Sequence, residues 1–179
     1  MPDTVWTIGH STRGLDEFMD ILRHYGIEAV VDVRTVPRSR MNPQFNSDTL
    51  GAALEAAGIG YIHAKNLGGL RQPRKDSIST AWQNESFRGF ADYMQTQDFE
   101  EALARLIEVA EAKRTVILCA EILPWRCHRS LIADALTVRG LSVVEILDAE
   151  KSQPHKFTPF AVVTDGKITY PQSALAEPE

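Results

Sequence analysis

TVILCAE (residues 115–121), CHRSLIADALTVRG (127–140) and LSVVEIL (141–147) follow one another in the last third of the chain, and their order decides the fold. They read as a strand, a helix that stops at Gly140 and a second strand. Working outward, the same alternation runs back to the start. TVWTIGH (4–10) is a short apolar run ending near Gly9. STRGLDEFMDILRHYG (11–26) places Leu15, Phe18, Met19, Leu22 and Tyr25 at helical spacing, with Ser11 or Thr12 to cap it and Gly26 to end it. AVVDVR (29–34) is β-branched and apolar, as in a strand buried on both faces. NSDTLGAALEAAG (46–58) is a helix and GYIHA (60–64) a short strand. SFRGFADYMQT (86–96) carries Phe87, Phe90 and Met94 on one stripe, and DFEEALARLIEVAEAK (98–113) is the clearest helix, with Asp98 as cap and Glu101 three residues on.

Strands alternating with helices imply right-handed crossovers. The expected fold is therefore α/β: a single three-layer domain with a mainly parallel sheet of about five strands. The tail differs. FAVVTDGKITY (160–170) sets Asp165-Gly166 between β-branched runs and predicts a C-terminal β-hairpin, pairing at a sheet edge or at a contact between subunits. Residues 1–148 form the α/β domain, and 149–179 form a tail belonging to the same structural unit. Residues 65–85 show no period and contain Gly68-Gly69 and Pro73; loops this long are usually functional, and this one is expected to act as a lid.

Composition bounds the function. The 179 residues suit one domain, at 44% hydrophobic and 24% charged, too apolar for a disordered chain. No apolar run approaches the roughly 18 residues of a membrane span. The start MPDTVWTIGHS has no signal-peptide pattern, and two cysteines make no disulfide framework, so a cytoplasmic setting is expected. A net charge of −5 argues against a protein that coats nucleic acid. Yet residues 34–75 hold seven basic residues against Asp48 and Glu55, a local balance of +5 that suits an anionic substrate.

In open α/β sheets, ligands sit beyond the carboxyl ends of the strands. Three of those ends are rich here: His10-Ser11 after the first strand, Asp32-Val33-Arg34 at the second, and Cys119-Ala120-Glu121 followed by Arg126-Cys127-His128-Arg129 at the fourth. His10 titrates near neutrality and suits acid–base work, or simply a hydrogen bond in a turn. Asp32 and Arg34 share a strand face and can pair; otherwise Asp32 orients a histidine and Arg34 forks onto an anion. Glu121 is a second carboxylate at a buried strand end, a base or a partner for Arg126 or Arg129. Cys127-His128-Arg129 opens a helix, where free N–H groups and the dipole favour both a bound anion and a thiolate. Cys127 is thus a candidate nucleophile, while Cys119, inside VILCA, reads as inert core.

Several patterns are absent. Neither cysteine has an arginine six residues on, as a cysteine-phosphatase loop needs, and no glycine-rich lysine loop for phosphate occurs. His10, Cys119, Cys127 and His128 lack metal-site spacing, and a disulfide joining Cys119 to Cys127 ranks lower still. No cofactor is identified.

TIGHST, VDVRTVPRSR, NLGGLR and LCAEILPWRCHRSLIA, in that order over about residues 4–147, resemble the family called domain of unknown function 488. The resemblance implies a compact α/β domain and supplies no reaction. The matching motif positions are His10, Ser11, Asp32, Arg34, Pro37, Ser39, Gly68, Gly69, Cys119, Glu121, Cys127, His128 and Arg129.

The leading expectation is a small enzyme, a hydrolase or transferase, acting on a phosphate-bearing or other anionic substrate, nucleotides and nucleic-acid ends included. Glu121, Asp32, His10 and Cys127 would carry the chemistry. Ser11, Arg34, Arg38, Ser39, Arg126, His128 and Arg129 would hold the substrate. The alternatives are a non-catalytic anion or nucleic-acid binder, stacking bases on Trp82, Trp125 and Phe45, and a thiol or sulfur-handling protein built on the two cysteines. An oligomer formed through the hairpin is the expected assembly, and no membrane partner is expected.

Overall fold

The computed structural model describes residues 3–172; the first two residues and the last seven of the C-terminal tail lie outside the described residues. Five strands run parallel: β1 (Thr4–Gly9), β2 (Ala29–Asp32), β3 (Gly60–His63), β4 (Thr115–Cys119) and β5 (Ser142–Ile146). A sixth, β6 (Ser152–Pro154), joins β5 antiparallel and completes a sheet of order β3-β2-β4-β1-β5-β6. The sequence did not disclose β6, because three residues ending in proline carry no periodic pattern.

Among the described residues five α-helices cover the two faces: α1 (Leu15–His24), α2 (Ser47–Ala56), α3 (Glu85–Tyr93), α4 (Gln97–Ala112) and α5 (Arg129–Val138). Side chains alternate along each strand, and the two cores follow from that. Val30, Val116 and Leu118 pack with Phe18 and Leu22 of α1 and Leu50 and Leu54 of α2. Val31, Ile117 and Cys119 face the other way, onto Phe90 of α3, Leu103 and Leu106 of α4 and Leu131 of α5. The fold is thus the α/β architecture expected from the alternation, with β2, β4 and β1 adjacent.

Helix starts differ from the sequence reading in detail. α1 is preceded by Gly14 without a side-chain cap, so neither Ser11 nor Thr12 caps it. α4 begins one residue early, capped by Thr96, whose hydroxyl accepts from the Phe99 N–H at 3.2 Å.

The hairpin forms as β7 (Val162–Thr164) and β8 (Lys167–Thr169), with Asp165 and Gly166 both at positive φ. That is the backbone a two-residue primed turn requires. It does not extend the main sheet, so the first of the two pairings expected, at a sheet edge, is not met. Its Ile168 and the following Tyr170 are buried in the core beneath α3, α4 and α5, and Gln95 donates to the Ile168 carbonyl at 2.5 Å. Residues 65–85 are tied down rather than free: Asp92 of α3 accepts from the Arg74 N–H and from the Ser77 hydroxyl. Among the described residues no helix is long and apolar enough to cross a membrane.

Candidate functional site

The strand order sets the polar ends of β2, β4 and β1 side by side, and the segments leaving them enclose a pocket of about 410 Å³. The chain after β2 contributes Arg34, Thr35, Val36, Arg38 and Ser39 to its wall. The chain after β4 contributes Ala120, Glu121 and Arg126 through His128, and His10 follows β1. Gly69, Leu70, Ser86 and Phe87 close the far side.

Both cysteines line this pocket. A single turn of 3-10 helix, Pro124–Arg126, carries the chain back over the end of β4 and delivers Cys127 just ahead of α5. Cys119 points into the same layer, so the two sulfurs meet at 2.7 Å as free thiols. Gly9 permits the return: a Cβ there would lie 1.8 Å from the Glu121 carbonyl oxygen.

Arg129 lies beneath the pair, fully buried. Its Nη1 donates to Cys119 Sγ at 2.5 Å and to the Glu121 carbonyl, and its Nη2 donates to the Ile122 carbonyl at 3.0 Å. Its backbone N–H donates to Cys127 Sγ at 3.4 Å, and the next N–H, of Ser130, donates to the Cys127 carbonyl. The start of α5 therefore directs its N–H groups at Cys127 itself.

These contacts divide the thiols. Burial opposes ionisation of Cys127, but the hydrogen bond from Cys119 and the charge of Arg129 outweigh it and bring the thiol from 9.0 to about 7. At Cys119, burial and the neighbouring sulfur push the thiol well above its ordinary value. The pair loses its first proton at Cys127 and keeps the second on Cys119.

His128 borders Cys127. Its Nε2 lies 3.1 Å from the Val33 carbonyl and 2.9 Å from the Leu67 carbonyl, so it carries the proton and donates to both. Nδ1 is then an acceptor, 3.6 Å from Cys127 Sγ. Burial lowers the pKa of this imidazole and keeps it neutral. Gly69 crosses directly over the ring, where a Cβ would lie 2.6 Å from Nδ1.

His10 belongs to a separate group on the α1–α2 face. Its Nδ1 donates to the Ser11 carbonyl at 2.8 Å, and its Nε2 accepts from Arg34 Nη1 at 3.3 Å. The ring stacks on Phe45, with centroids 4.4 Å apart. Burial and then the Arg34 charge lower its pKa, so His10 is neutral with its lone pair engaged. Asp32 stands behind Arg34, outside the pocket wall. Its carboxylate accepts from Arg34 Nε at 2.9 Å, from Arg34 Nη2 at 2.6 Å and from the Tyr61 hydroxyl at 2.7 Å. Asp32 orients Arg34, and Arg34 holds His10.

The structure thus brings His10, Arg34, Arg38, Ser39, Glu121, Arg126, Cys127 and His128 to one pocket, with Asp32 and Arg129 buried behind it. Ser11 does not line it; at φ 49 it ties β1 to β4 through its N–H and the Ala120 carbonyl. Ser39 also staples its loop, its N–H donating to Asn46 and its hydroxyl accepting from the Asn42 N–H. Glu121 is half-buried, and its carboxylate has no hydrogen bond among the described residues. The basic stretch disperses. Arg38 and Arg126 stand exposed on the pocket wall, whereas Arg71 lies 3.6 Å above the Tyr93 ring and Arg74 pairs with Asp76. Of the three aromatic platforms, Trp125 is exposed, Phe45 is buried, and Trp82 packs against Phe87 and Phe160.

Cys119 is buried, as its place inside an apolar strand led us to expect, yet it lies against Cys127, and Gly69, one of the motif positions, leaves the space that His128 occupies.

No curated protein and no solved structure matches the chain. A family match covers residues 14–136, beginning just after the His10-Ser11 turn and taking in Asp32, Arg34, Gly69 and the whole Cys119–Arg129 floor. By that match the chain belongs to the family described as domain of unknown function DUF488.

Proposed function

We propose that the protein is an enzyme whose nucleophile is Cys127 and whose substrate is a small anionic molecule held in the pocket. The observation that carries this reading is Cys127: a thiol lowered to about 7, 3.6 Å from the acceptor nitrogen of His128, lining a pocket that also carries two exposed arginines. The thiolate is the reactive form, and near neutral pH a group with this pKa supplies it without a strong external base. Arg129 and the start of α5 hold the negative charge on sulfur. His128 stays neutral and presents Nδ1 as an acceptor to the sulfur 3.6 Å away. Arg38 and Arg126 hold the anionic end of the substrate, and Glu121, with its carboxylate unengaged, exchanges a proton with the group that leaves. Arg34 and His10 form a fixed wall, because Asp32 already neutralises that arginine.

The test is alkylation of the native protein by iodoacetamide across pH, with each cysteine mapped by mass spectrometry. Cys127 should label with a midpoint near 7 and well ahead of Cys119. Labelling of both at one slow rate, rising only in the ordinary thiol range, would remove the nucleophile and the reading with it.

A further inference from the structure

A nucleophilic cysteine that carries an acyl or phosphoryl group needs one sulfur, yet Cys127 has a second thiol in direct contact. If the transferred group were acyl or phosphoryl, Cys119 would only pass it sideways. The contact acquires a purpose when the group on Cys127 is itself a sulfur, because a second thiol can then displace it and close a disulfide. We propose that Cys119 is the resolving thiol of Cys127, and that the substrate class is a small disulfide carrying anionic groups, reduced as the pair closes. The inference rests on the reading of Cys127 as nucleophile.

The steps balance as ordinary thiol–disulfide exchange. The Cys127 thiolate attacks one sulfur of the substrate R–S–S–R; the Cys127–SR bond forms, the R–S–S–R bond breaks, and RS⁻ leaves. Cys119 then attacks Cys127 Sγ. The Cys119–Cys127 bond forms, the Cys127–SR bond breaks, and the second half departs as RSH with the proton that Cys119 gave up. The substrate gains two electrons and the pair loses two. An external dithiol reductant restores the pair.

Position and charge fit this order of events. The relative exposure is 7% at Cys127 and 3% at Cys119, so a molecule in the pocket meets Cys127 first. Arg129 touches both sulfurs, the N–H at Cys127 and the guanidinium at Cys119. While Cys127 is a thiolate, that negative charge helps to keep Cys119 protonated. Once Cys127 is capped by SR its charge is gone, and Arg129 faces only Cys119, whose ionisation becomes easier at the moment it must attack. The attacking sulfur is already at 2.7 Å. Arg38 and Arg126 on the pocket wall favour a disulfide with carboxylates over a neutral one.

The experiment treats the reduced full-length protein with glutathione disulfide, quenches in acid and digests with trypsin. Cleavage after Arg126 separates the Cys119 peptide, residues 115–126, from the Cys127 peptide, 127–129. The expected product is these two peptides joined by a disulfide, with two glutathione thiols released per chain. Cys119→Ser keeps a hydrogen-bond donor beside Cys127 and should stop at a glutathione adduct on Cys127 that lasts at least about tenfold longer than in the wild type. Uncharged bis(2-hydroxyethyl) disulfide should react more slowly than glutathione disulfide, relative to a free thiol; equal relative rates would overturn the anionic substrate class. A wild-type adduct as durable as that of Cys119→Ser, or no linked peptide while Cys127 still alkylates rapidly, would overturn the resolving role and leave the nucleophile standing. Failure of Cys127 to alkylate would remove both.

Discussion

Arg129 Nη1 reaches Cys119 Sγ at 2.5 Å from inside the fold, not from the pocket. A buried guanidinium that also donates to the Glu121 and Ile122 carbonyls is a fixed charge, and a substrate need not bring a cation of its own to sustain the Cys127 thiolate. Arg129→Met removes the charge and keeps most of the volume. The alkylation midpoint of Cys127 should climb from about 7 toward the ordinary thiol value. Unfolding stability should fall by about 2–4 kcal/mol, since two buried carbonyls lose a charged donor. Alkylation against pH and urea unfolding measure the two effects separately, and an unmoved midpoint would assign the low pKa to Cys119 and the helix start alone.

The pocket arginines predict a preference between two reagents of nearly equal size. Iodoacetate is an anion and iodoacetamide is neutral, so their rate ratio at Cys127, taken against a free thiol, reads the field in the pocket. Arg38→Ala and Arg126→Ala should each lower the iodoacetate ratio by about 2–5-fold, the effect of one exposed charge at short range. High salt should shrink the wild-type preference toward the variants. A ratio unchanged in both variants would place the anionic end of the substrate elsewhere.

Much of the fold was legible because its signals are local and periodic. Strand and helix lengths, the stop at Gly140 and the Asp165-Gly166 turn follow from rules that act over a few residues. The rich ends of three strands were visible for the same reason. Which of their side chains share a space was not, because that depends on strand order and on the face each residue takes. Asp32 ends an apolar strand and Glu121 follows another by two residues, yet one is consumed by Arg34 and Tyr61 while the other lines the pocket. The Cys119–Cys127 contact is the clearest case. It required knowing that α5 covers the same face of β4 as Cys119, a fact about packing rather than spacing.

Gly69 offers a steric test of the His128 placement. The imidazole is pinned by two carbonyls through Nε2, so it cannot swing away from a new methyl group 2.6 Å from Nδ1. Gly69→Ala should cost about 1–3 kcal/mol of stability through overpacking. It should also slow alkylation of Cys127 at neutral pH, because the acceptor nitrogen is displaced from the sulfur. Thermal unfolding and the alkylation rate should move together; a loss of stability with an unaltered rate would mean that His128 takes no part in activating the thiol.

His155 makes the last prediction, and it concerns stability rather than the pocket. Its Nδ1 lies 2.7 Å from Glu145 Oε2 and its Nε2 2.8 Å from Asp134 Oδ1, so the ring bridges β5 and α5. Tyr170 donates to the other oxygen of Asp134 at 2.9 Å and Gln153 to the other oxygen of Glu145 at 2.9 Å, which brings β6 and the segment after β8 into the same network. Burial works against the imidazolium, but the two carboxylates outweigh it and raise the pKa from 6.5 to about 9. A pKa raised in the fold stabilises fully below the unfolded value and is lost as pH rises through the folded one. The wild type should therefore hold its network stability up to about pH 6.5, lose it progressively as pH rises from there, and have lost it once pH passes about 9. His155→Gln is neutral throughout; it should cost about 3–5 kcal/mol at pH 6 by leaving buried carboxylates unpaired, and its stability should not share the wild-type decline on the alkaline side. Urea unfolding of both proteins at intervals of pH decides it. Parallel curves would mean that the ring is neutral in the folded chain and that Tyr170, the Thr158 N–H and Gln153 satisfy the two carboxylates without an imidazolium.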